Sequence, residues 1–393
     1  WEQRKLGELA SKRIEKNTNG IKETFTNSAE HGVVSQLDYF DHDITNDANI
    51  GNYSVVHPDD FIYNPRISAV APCGPINRNK LDRNGVMSPL YTVFSVDDTI
   101  DKLYLEHYFK TSRWHQFMFL EGNSGARSDR FSISDSIFFE MPIQCPVLEE
   151  QELIASFFGR LDSLITLHQR KYDKLCVLKK SMLDKMFPKG GSLYPEIRFA
   201  GFTDPWEQRK LGELASKRIE KNTNGIKETF TNSAEHGVVS QLDYFDHDIT
   251  NDANIGNYSV VHPDDFIYNP RISAVAPCGP INRNKLDRNG VMSPLYTVFS
   301  VDDTIDKLYL EHYFKTSRWH QFMFLEGNSG ARSDRFSISD SIFFEMPIQC
   351  PVLEEQELIA SFFGRLDSLI TLHQRKLELL RNIKKSMLDK MFV

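Results

Sequence analysis

Cysteine is scarce and its spacing builds nothing. The 393 residues contain five (Cys73, Cys145, Cys176, Cys278 and Cys350), with no Cys-x-x-Cys pair and an odd thiol left over. That argues against a disulfide framework or a cysteine zinc site and fits a reducing, cytoplasmic setting. Long apolar runs are missing as well. The longest uncharged stretch, Asn84–Val96 with its later copy, is rich in Ser, Thr, Asn and Gly, whereas a membrane span needs about 20 mostly apolar residues. No secretory apolar segment follows Trp1, and the first residue is not Met, so Trp1 is not expected to be the natural start.

Catalytic signatures are also wanting. There is no Gly-x-Gly-x-x-Gly and no Gly-x-x-x-x-Gly-Lys-Ser/Thr, so a phosphate-cradling loop is unsupported. The Asn-Pro-Pro-aromatic run of an adenine methyltransferase does not occur; Asn64-Pro65-Arg66 comes nearest and lacks the second Pro. Asp59 and Asp60 have no lysine spaced to complete a nuclease cluster. His31, His42, His57, His107, His115 and His168 show no metal-ligand spacing. Gly122-Asn-Ser-Gly125 reads as a tight loop, not the strand-to-helix elbow that presents a hydrolase serine. These absences point to a binding protein, with no metal site.

A repeat is what the chain does have. Trp1–Lys171 recur without a change as Trp206–Lys376, and Lys179–Phe187 recur as Lys384–Phe392. Only Tyr172–Leu178 and Leu377–Ile383 differ between the copies. A unit of this length is a domain with an appendage, not a solenoid repeat of 20–50 residues. Two copies of one surface imply two copies of one ligand site.

Within each copy the texture changes at Pro146. Before it, short runs of Val, Ile, Tyr, Phe, Ser and Thr alternate with turn signals such as Cys73-Gly74-Pro75 and Asn84-Gly85, which reads as strands and loops. Tyr91–Val96 and Phe131–Phe139 are the clearest strand candidates, and Ile100–Leu120 reads as helix. The expected domain is mixed α/β, of the α+β kind. After Pro146 the period becomes helical for about 40 residues, a length near 60 Å. Apolar residues fall at Ile154, Phe158, Leu161, Ile165, Tyr172, Leu175, Met182 and Met186, with Lys179 as a misfit. Acids lead (Glu149, Glu150, Glu152) and lysines trail, as a helix dipole prefers. Helices this long outrun a globular core, so the two are expected to pair along a heptad-like seam, antiparallel, giving an internal pseudo-two-fold. The expected organisation is a domain at 1–145, a helix at 146–188, a linker at 189–205, a second domain at 206–350 and a second helix at 351–393. Phe157, Phe158, Leu161, Leu164 and Ile165, with Phe362, Phe363, Leu366, Leu369 and Ile370, should pair the helices or seat a partner.

Charge is sorted along each copy. The net charge is −8, which disfavours coating nucleic acid through bulk charge but leaves room for a local basic face. From Glu23 to Pro65 there are eight acids and no Lys or Arg; basic residues then return. Arg66, Arg78, Lys80, Arg83, Asn123, Ser124, Arg127 and Arg130 are the candidate DNA contacts of the first copy. Arg271, Arg283, Lys285, Arg288, Asn328, Ser329, Arg332 and Arg335 are those of the second. Arginine, lysine, asparagine and serine donors suit phosphates and base edges, although a solvated surface loop would have a similar composition.

Five segments carry a resemblance. Trp1-Glu-Gln-Arg-Lys-Leu-Gly-Glu-Leu9, Phe61-Ile-Tyr-Asn-Pro65, Ser88-Pro-Leu-Tyr-Thr-Val-Phe94, Pro146-Val-Leu-Glu-Glu-Gln-Glu-Leu-Ile-Ala155 and Leu193-Tyr-Pro-Glu-Ile-Arg-Phe-Ala-Gly-Phe-Thr-Asp-Pro-Trp206 resemble the specificity subunit of Type I restriction–modification enzymes. The resemblance implies two target-recognition domains on antiparallel spacer helices that bind double-stranded DNA. It also implies docking of two modification subunits, which carry S-adenosylmethionine and methylate adenine, and of restriction subunits that use ATP and Mg²⁺. No cofactor is then expected in this chain. The two recognition domains of that family normally differ, whereas these are identical, and no copy of Leu193–Pro205 precedes Trp1. A fragment of a fused restriction–methylation enzyme and a stand-alone tandem-domain DNA-binding regulator are the alternatives.

Overall fold

The computed structural model describes residues 1–40, 49–123, 129–245, 254–328 and 334–392. The chain divides into two units, one of Trp1–Gln169 with Gln374–Val393 and one of Arg170–His373. Each unit therefore holds one copy of the repeated domain, the first part of the helix that follows it, and the last part of the other long helix.

In the first unit a four-stranded antiparallel sheet runs Ala10–Lys12, Thr92–Val96, Phe61–Tyr63, Ile76–Arg78 in spatial order. Three two-stranded antiparallel ladders surround it: Glu2–Lys5 with Pro142–Cys145, Phe25–Ser28 with Gly32–Ser35, and Ser54–Val56 with Gly85–Met87. Short helices at Lys102–Tyr108 and His115–Glu121 cover one side of the sheet's core. Antiparallel sheet with segregated helices is the α+β arrangement expected from the sequence. The second unit repeats it, with the sheet order Ala215–Lys217, Thr297–Val301, Phe266–Tyr268, Ile281–Arg283.

Two local expectations change. Ile100–Leu120 is not one helix but two, and the break at Thr111–Trp114 is held by the Thr111 hydroxyl donating to the Tyr108 carbonyl at 2.7 Å. Phe131–Phe139 is not a strand. Ser134 caps a helical turn over Asp135–Phe138, its hydroxyl accepting from the Ile137 amide at 3.3 Å. The Ser-Asp start is a helix N-terminal signal that overrides the alternating aromatic pattern.

The long helices span Leu148–Lys185 and Leu353–Met391. In the first unit Ile154, Ala155, Phe158 and Leu161 sink into the core of the domain that precedes them, where Phe392 from the end of the other helix stacks on Phe158 at 5.9 Å. Asp162 meets Lys384 and Gln169 meets Arg381, so the two segments run antiparallel. The second unit repeats the register, Phe187 on Phe363 and Lys179 on Asp367. The apolar stripe thus serves two partners, a domain and a helix, rather than a helix alone. Phe157, Leu164 and Leu369 are not packed in the pairing seam, at 37, 43 and 43% exposed, which leaves them the partner-seating half of the expectation. Ile165 and Ile370 are half-buried; Phe158, Leu161, Phe363 and Leu366 are buried.

Candidate nucleic-acid interface

The hairpin Phe25–Ser35 is fixed to the sheet by buried amides. Asn27 donates to the carbonyls of Ile62 at 2.7 Å and Pro75 at 3.2 Å. Asn77 donates to the Asn27 side chain at 2.6 Å, and Asn64 to the Asn27 carbonyl at 2.8 Å. Buried amides satisfied in this way hold one geometry. Gly74 completes the arrangement at φ +83°: a Cβ there would lie 2.0 Å from the Asn64 carbonyl oxygen, so only glycine permits the approach. Asn64 in turn accepts from the Arg66 amide at 3.0 Å, which starts the loop that presents Arg66.

Beside this rigid floor lies a cleft of about 570 Å³, rimmed by Tyr39, Tyr91, Glu30, Gln36 and the Arg66–Val70 loop. Its twin in the second unit, about 590 Å³, is rimmed by Tyr244, Tyr296, Glu235, Gln241 and the Arg271–Val275 loop. Arg66 is exposed and has no carboxylate partner among the described residues. Its backbone bridges Arg130, the Phe131 amide donating to the Pro65 carbonyl at 2.8 Å. Among the described residues Arg130 pairs only with its neighbour Asp129, at 3.9 Å. Asn123 sits on the same strand-like return, bridging Ser132, and is exposed. Arg271, Arg335 and Asn328 repeat these positions.

The other basic candidates are occupied internally. Arg78 binds Glu106 at 2.9 Å and Asp59 at 2.5 Å, and Lys80 binds the same Glu106. Glu106 is 5% exposed; burial alone would raise its carboxyl, but Lys80 and Arg78 outweigh that and hold it below the usual range. Arg283 and Lys285 do the same for Glu311. Arg83 pairs with Glu23 at 3.0 Å and Arg288 with Glu228 at 3.1 Å. The structure therefore brings Arg66, Arg130 and Asn123 together and places Arg78 and Lys80 in a separate cluster with His107 and Lys110. Ser124, Arg127, Ser329 and Arg332 lie outside the described residues. Sequence reasoning missed Tyr39, Tyr91 and Gln36, whose only signal was their place beside the Asn- and Gly-rich turns.

Among the described residues no three His, Cys, Asp or Glu side chains gather to hold a metal, and no helix is long and apolar enough to cross a membrane. The sequence matches the Type I restriction modification DNA specificity domain family over residues 1–176 and again over 203–382. The chain belongs to that family. It is 23% identical over 301 residues to the type I restriction enzyme MjaX specificity subunit of Methanocaldococcus jannaschii, covering 73% of this chain and 65% of that relative's length. Its fold is similar to the Type I restriction–modification S subunit from M. genitalium, with a TM-score of 0.57 and 13% identity over all of this chain and 96% of that one. A chain solved for complex assembly and conformational transition of the type I R-M system is also similar, with a TM-score of 0.50 and 16% identity over all of this chain and 97% of that one.

Proposed function

We propose that this chain is the non-catalytic DNA-recognition subunit of a Type I restriction–modification complex, reading a bipartite target and directing adenine methylation and restriction by partner subunits. The observation that carries the reading is the double match to one specificity-domain family in two identical copies. Identical side chains meet identical base edges, so both domains read the same half-site. In each unit the helical segments pair antiparallel in the same register, which supports half-sites in inverted orientation, as symmetric dimers read palindromic operators. The DNA contacts fall on Arg66 at the cleft rim and on Arg130 and Asn123 along the return beside it, with the twins Arg271, Arg335 and Asn328, as donors to phosphates and base edges.

The exposed apolar residues along the helices seat the modification subunits, which bring S-adenosylmethionine; restriction subunits bring ATP and Mg²⁺. Leu153, Phe157, Leu164 and Leu167 recur at helical spacing on the solvent side of the first helix, and an apolar patch of that kind marks a protein interface. Long-read sequencing of DNA from cells expressing this chain with a modification subunit tests the whole reading. The expected result is methylated adenine on both strands of a site that equals its own reverse complement across an unread spacer. A direct repeat would refute the inverted arrangement, and methylation or cleavage by the isolated chain would refute the division of labour.

A further inference from the structure

Each unit has a second cavity, across the hairpin turn from the cleft and, like the cleft, bordered by Glu30 or its twin Glu235. It encloses about 240 Å³ in the first unit and about 260 Å³ in the second, far more than the ~15 Å³ that one bridging water needs. Its walls in the first unit are the hairpin turn, the end of the edge strand Ile76–Arg78, the helix Lys102–Tyr108 with the Lys110 that follows, and the long helices at Asp162 and Lys384. Two donors inside it are unused. His107 is 1% exposed and neither ring nitrogen has a hydrogen-bond partner, Nε2 lying 4.0 Å from Asp162. Lys110 bonds the neutral side-chain oxygen of Asn77 and pairs with no carboxylate among the described residues. His312 and Lys315 repeat both conditions. Four cations line the cavity, Arg78, Lys80, Lys110 and Lys384, against three carboxylates. Two of the three are already taken: Glu106 is buried between Arg78 and Lys80, and Asp162 pairs with Lys384. The third, Glu30, is exposed on the turn. A buried imidazole with two bare nitrogens is costly unless a ligand or solvent meets it.

We propose that this cavity binds a small free oxyanion of the phosphate class, inorganic phosphate or a phosphomonoester, held by Lys110 and His107 in the first unit and by Lys315 and His312 in the second. The ammonium supplies charge-assisted hydrogen bonds. The imidazole supplies one N–H, because burial and Lys384 push His107 down to about 4 and leave it neutral at neutral pH. Exposed His31 lines the same space and adds a donor from the turn. Size and charge favour a free ion over the backbone of DNA. Glu30, Glu106 and Asp162 share the walls with the cations, so a single dianion fits between the lysines while a polyanion passing along the surface is repelled. The ligand would touch both the domain and the long helices of its unit. It would also abut the amides that fix the hairpin, since the Asn77 that Lys110 holds donates in turn to Asn27. The site does not depend on the DNA-recognition reading, and it is tested without DNA first.

Inorganic phosphate titrated into the full chain at neutral pH, with sodium chloride at matched ionic strength as the control, supplies the test. Calorimetry should show saturable binding at two sites per chain, one for each cavity. The Tm should rise with phosphate and not with chloride. In histidine-labelled protein, hydrogen-bonded imidazole N–H signals should appear only with phosphate and be missing from His107→Leu with His312→Leu. Lys110→Gln with Lys315→Gln should weaken binding about tenfold or more. Because Lys110 also supports Asn77, the phosphate-dependent imidazole signals of the parent chain decide the matter if that variant melts early. Absence of saturable heat, with imidazole signals indifferent to phosphate, would overturn the proposal. So would binding that survives both double substitutions, since the anion would then sit elsewhere. Release of bound phosphate on adding a DNA duplex would overturn it as well, since the cavity would then belong to the polymer backbone.

Discussion

Lys384 Nζ lies 2.5 Å from Asp162 Oδ1, and Lys179 pairs with Asp367 in the same way in the second unit. Lys179 breaks the apolar spacing of its helix, and the pairing accounts for it: the position faces the other helix segment and meets a carboxylate there. Both side chains keep partial exposure, 24% for Lys384 and 38% for Asp162, so the pair contributes only about 0.5–1 kcal/mol. Its larger role is register, because a slip of the antiparallel segments would set lysine against leucine. Lys384→Glu should therefore destabilise the first unit by roughly 1 kcal/mol by placing like charges together, and Asp162→Lys in the same chain should recover most of the loss. A double-mutant cycle by urea denaturation reads the coupling, and strict additivity would show that the pair does not set the register.

His107 sits next to this pair, 1% exposed, with both ring nitrogens lacking a hydrogen-bond partner and Nε2 4.0 Å from Asp162. Burial, reinforced by Lys384 and Lys80 against Asp162 and Glu106, pushes its imidazole down to about 4 from an ordinary value near 6.5. His312 repeats the shift to about 4, beside Lys179, Asp367, Glu311 and Lys285. A folded value below the unfolded one means that the unfolded chain binds more protons between the two. The stabilisation is complete above about pH 6.5 and is lost as pH falls toward 4, on the order of 3 kcal/mol per site. His107→Leu with His312→Leu should flatten the stability profile across that window by nearly two protons. A slope unchanged by the double substitution would locate the acid sensitivity elsewhere.

The basic candidates divide by what they already touch. Arg66→Ala and Arg271→Ala remove exposed guanidinium groups with no carboxylate partner among the described residues. DNA affinity should fall and the salt dependence should flatten by roughly one unit of slope for each phosphate no longer neutralised, with the Tm unchanged. Arg78→Ala should do the opposite. It strips Glu106 of one of two cations in a buried site, so stability should fall by about 3 kcal/mol, with DNA binding altered only as far as folding is. Fluorescence anisotropy across a salt series, beside thermal melts of the same samples, separates the two. Equal salt slopes for Arg66→Ala and the parent would take the cleft rim out of the interface.

The repeat, the helices and the mixed α+β character were readable because each is carried by local pattern: identity, a 3.6 period and alternating turns. The internal ion pairs were not. Arg78 and Glu106 are far apart in sequence and meet only through sheet and helix packing, so a run of basic residues after an acidic run looks like a free positive face until the fold neutralises it. Phe131–Phe139 failed for a different reason, since a two-residue cap signal competed with an apolar alternation and the cap prevailed. The cleft was half-visible: Asn64-Pro65 and Gly74 announced turns, but nothing local said that they close on each other to present Arg66.

Two neighbouring leucines on the first long helix have opposite surroundings. Leu161 is 8% exposed and belongs to the recognition domain's core, whereas Leu164, one turn on, is 43% exposed. Leu366 and Leu369 repeat the contrast at 6 and 43%. Leu161→Asp with Leu366→Asp buries two unpaired carboxylates, each costing several kcal/mol. Because these residues anchor their own domains as well as face the other helix segment, the domains themselves should unfold rather than merely lose their spacing. Leu164→Asp with Leu369→Asp puts the charges in water and should leave the stability within about 1 kcal/mol of the parent. If the exposed stripe seats the modification subunits, the second pair should nonetheless abolish co-purification with them and methylation of host DNA. Normal assembly by the Leu164→Asp, Leu369→Asp chain would move the docking surface off this face, and a stably folded Leu161→Asp, Leu366→Asp chain would show that the helix ends are not part of the domain cores.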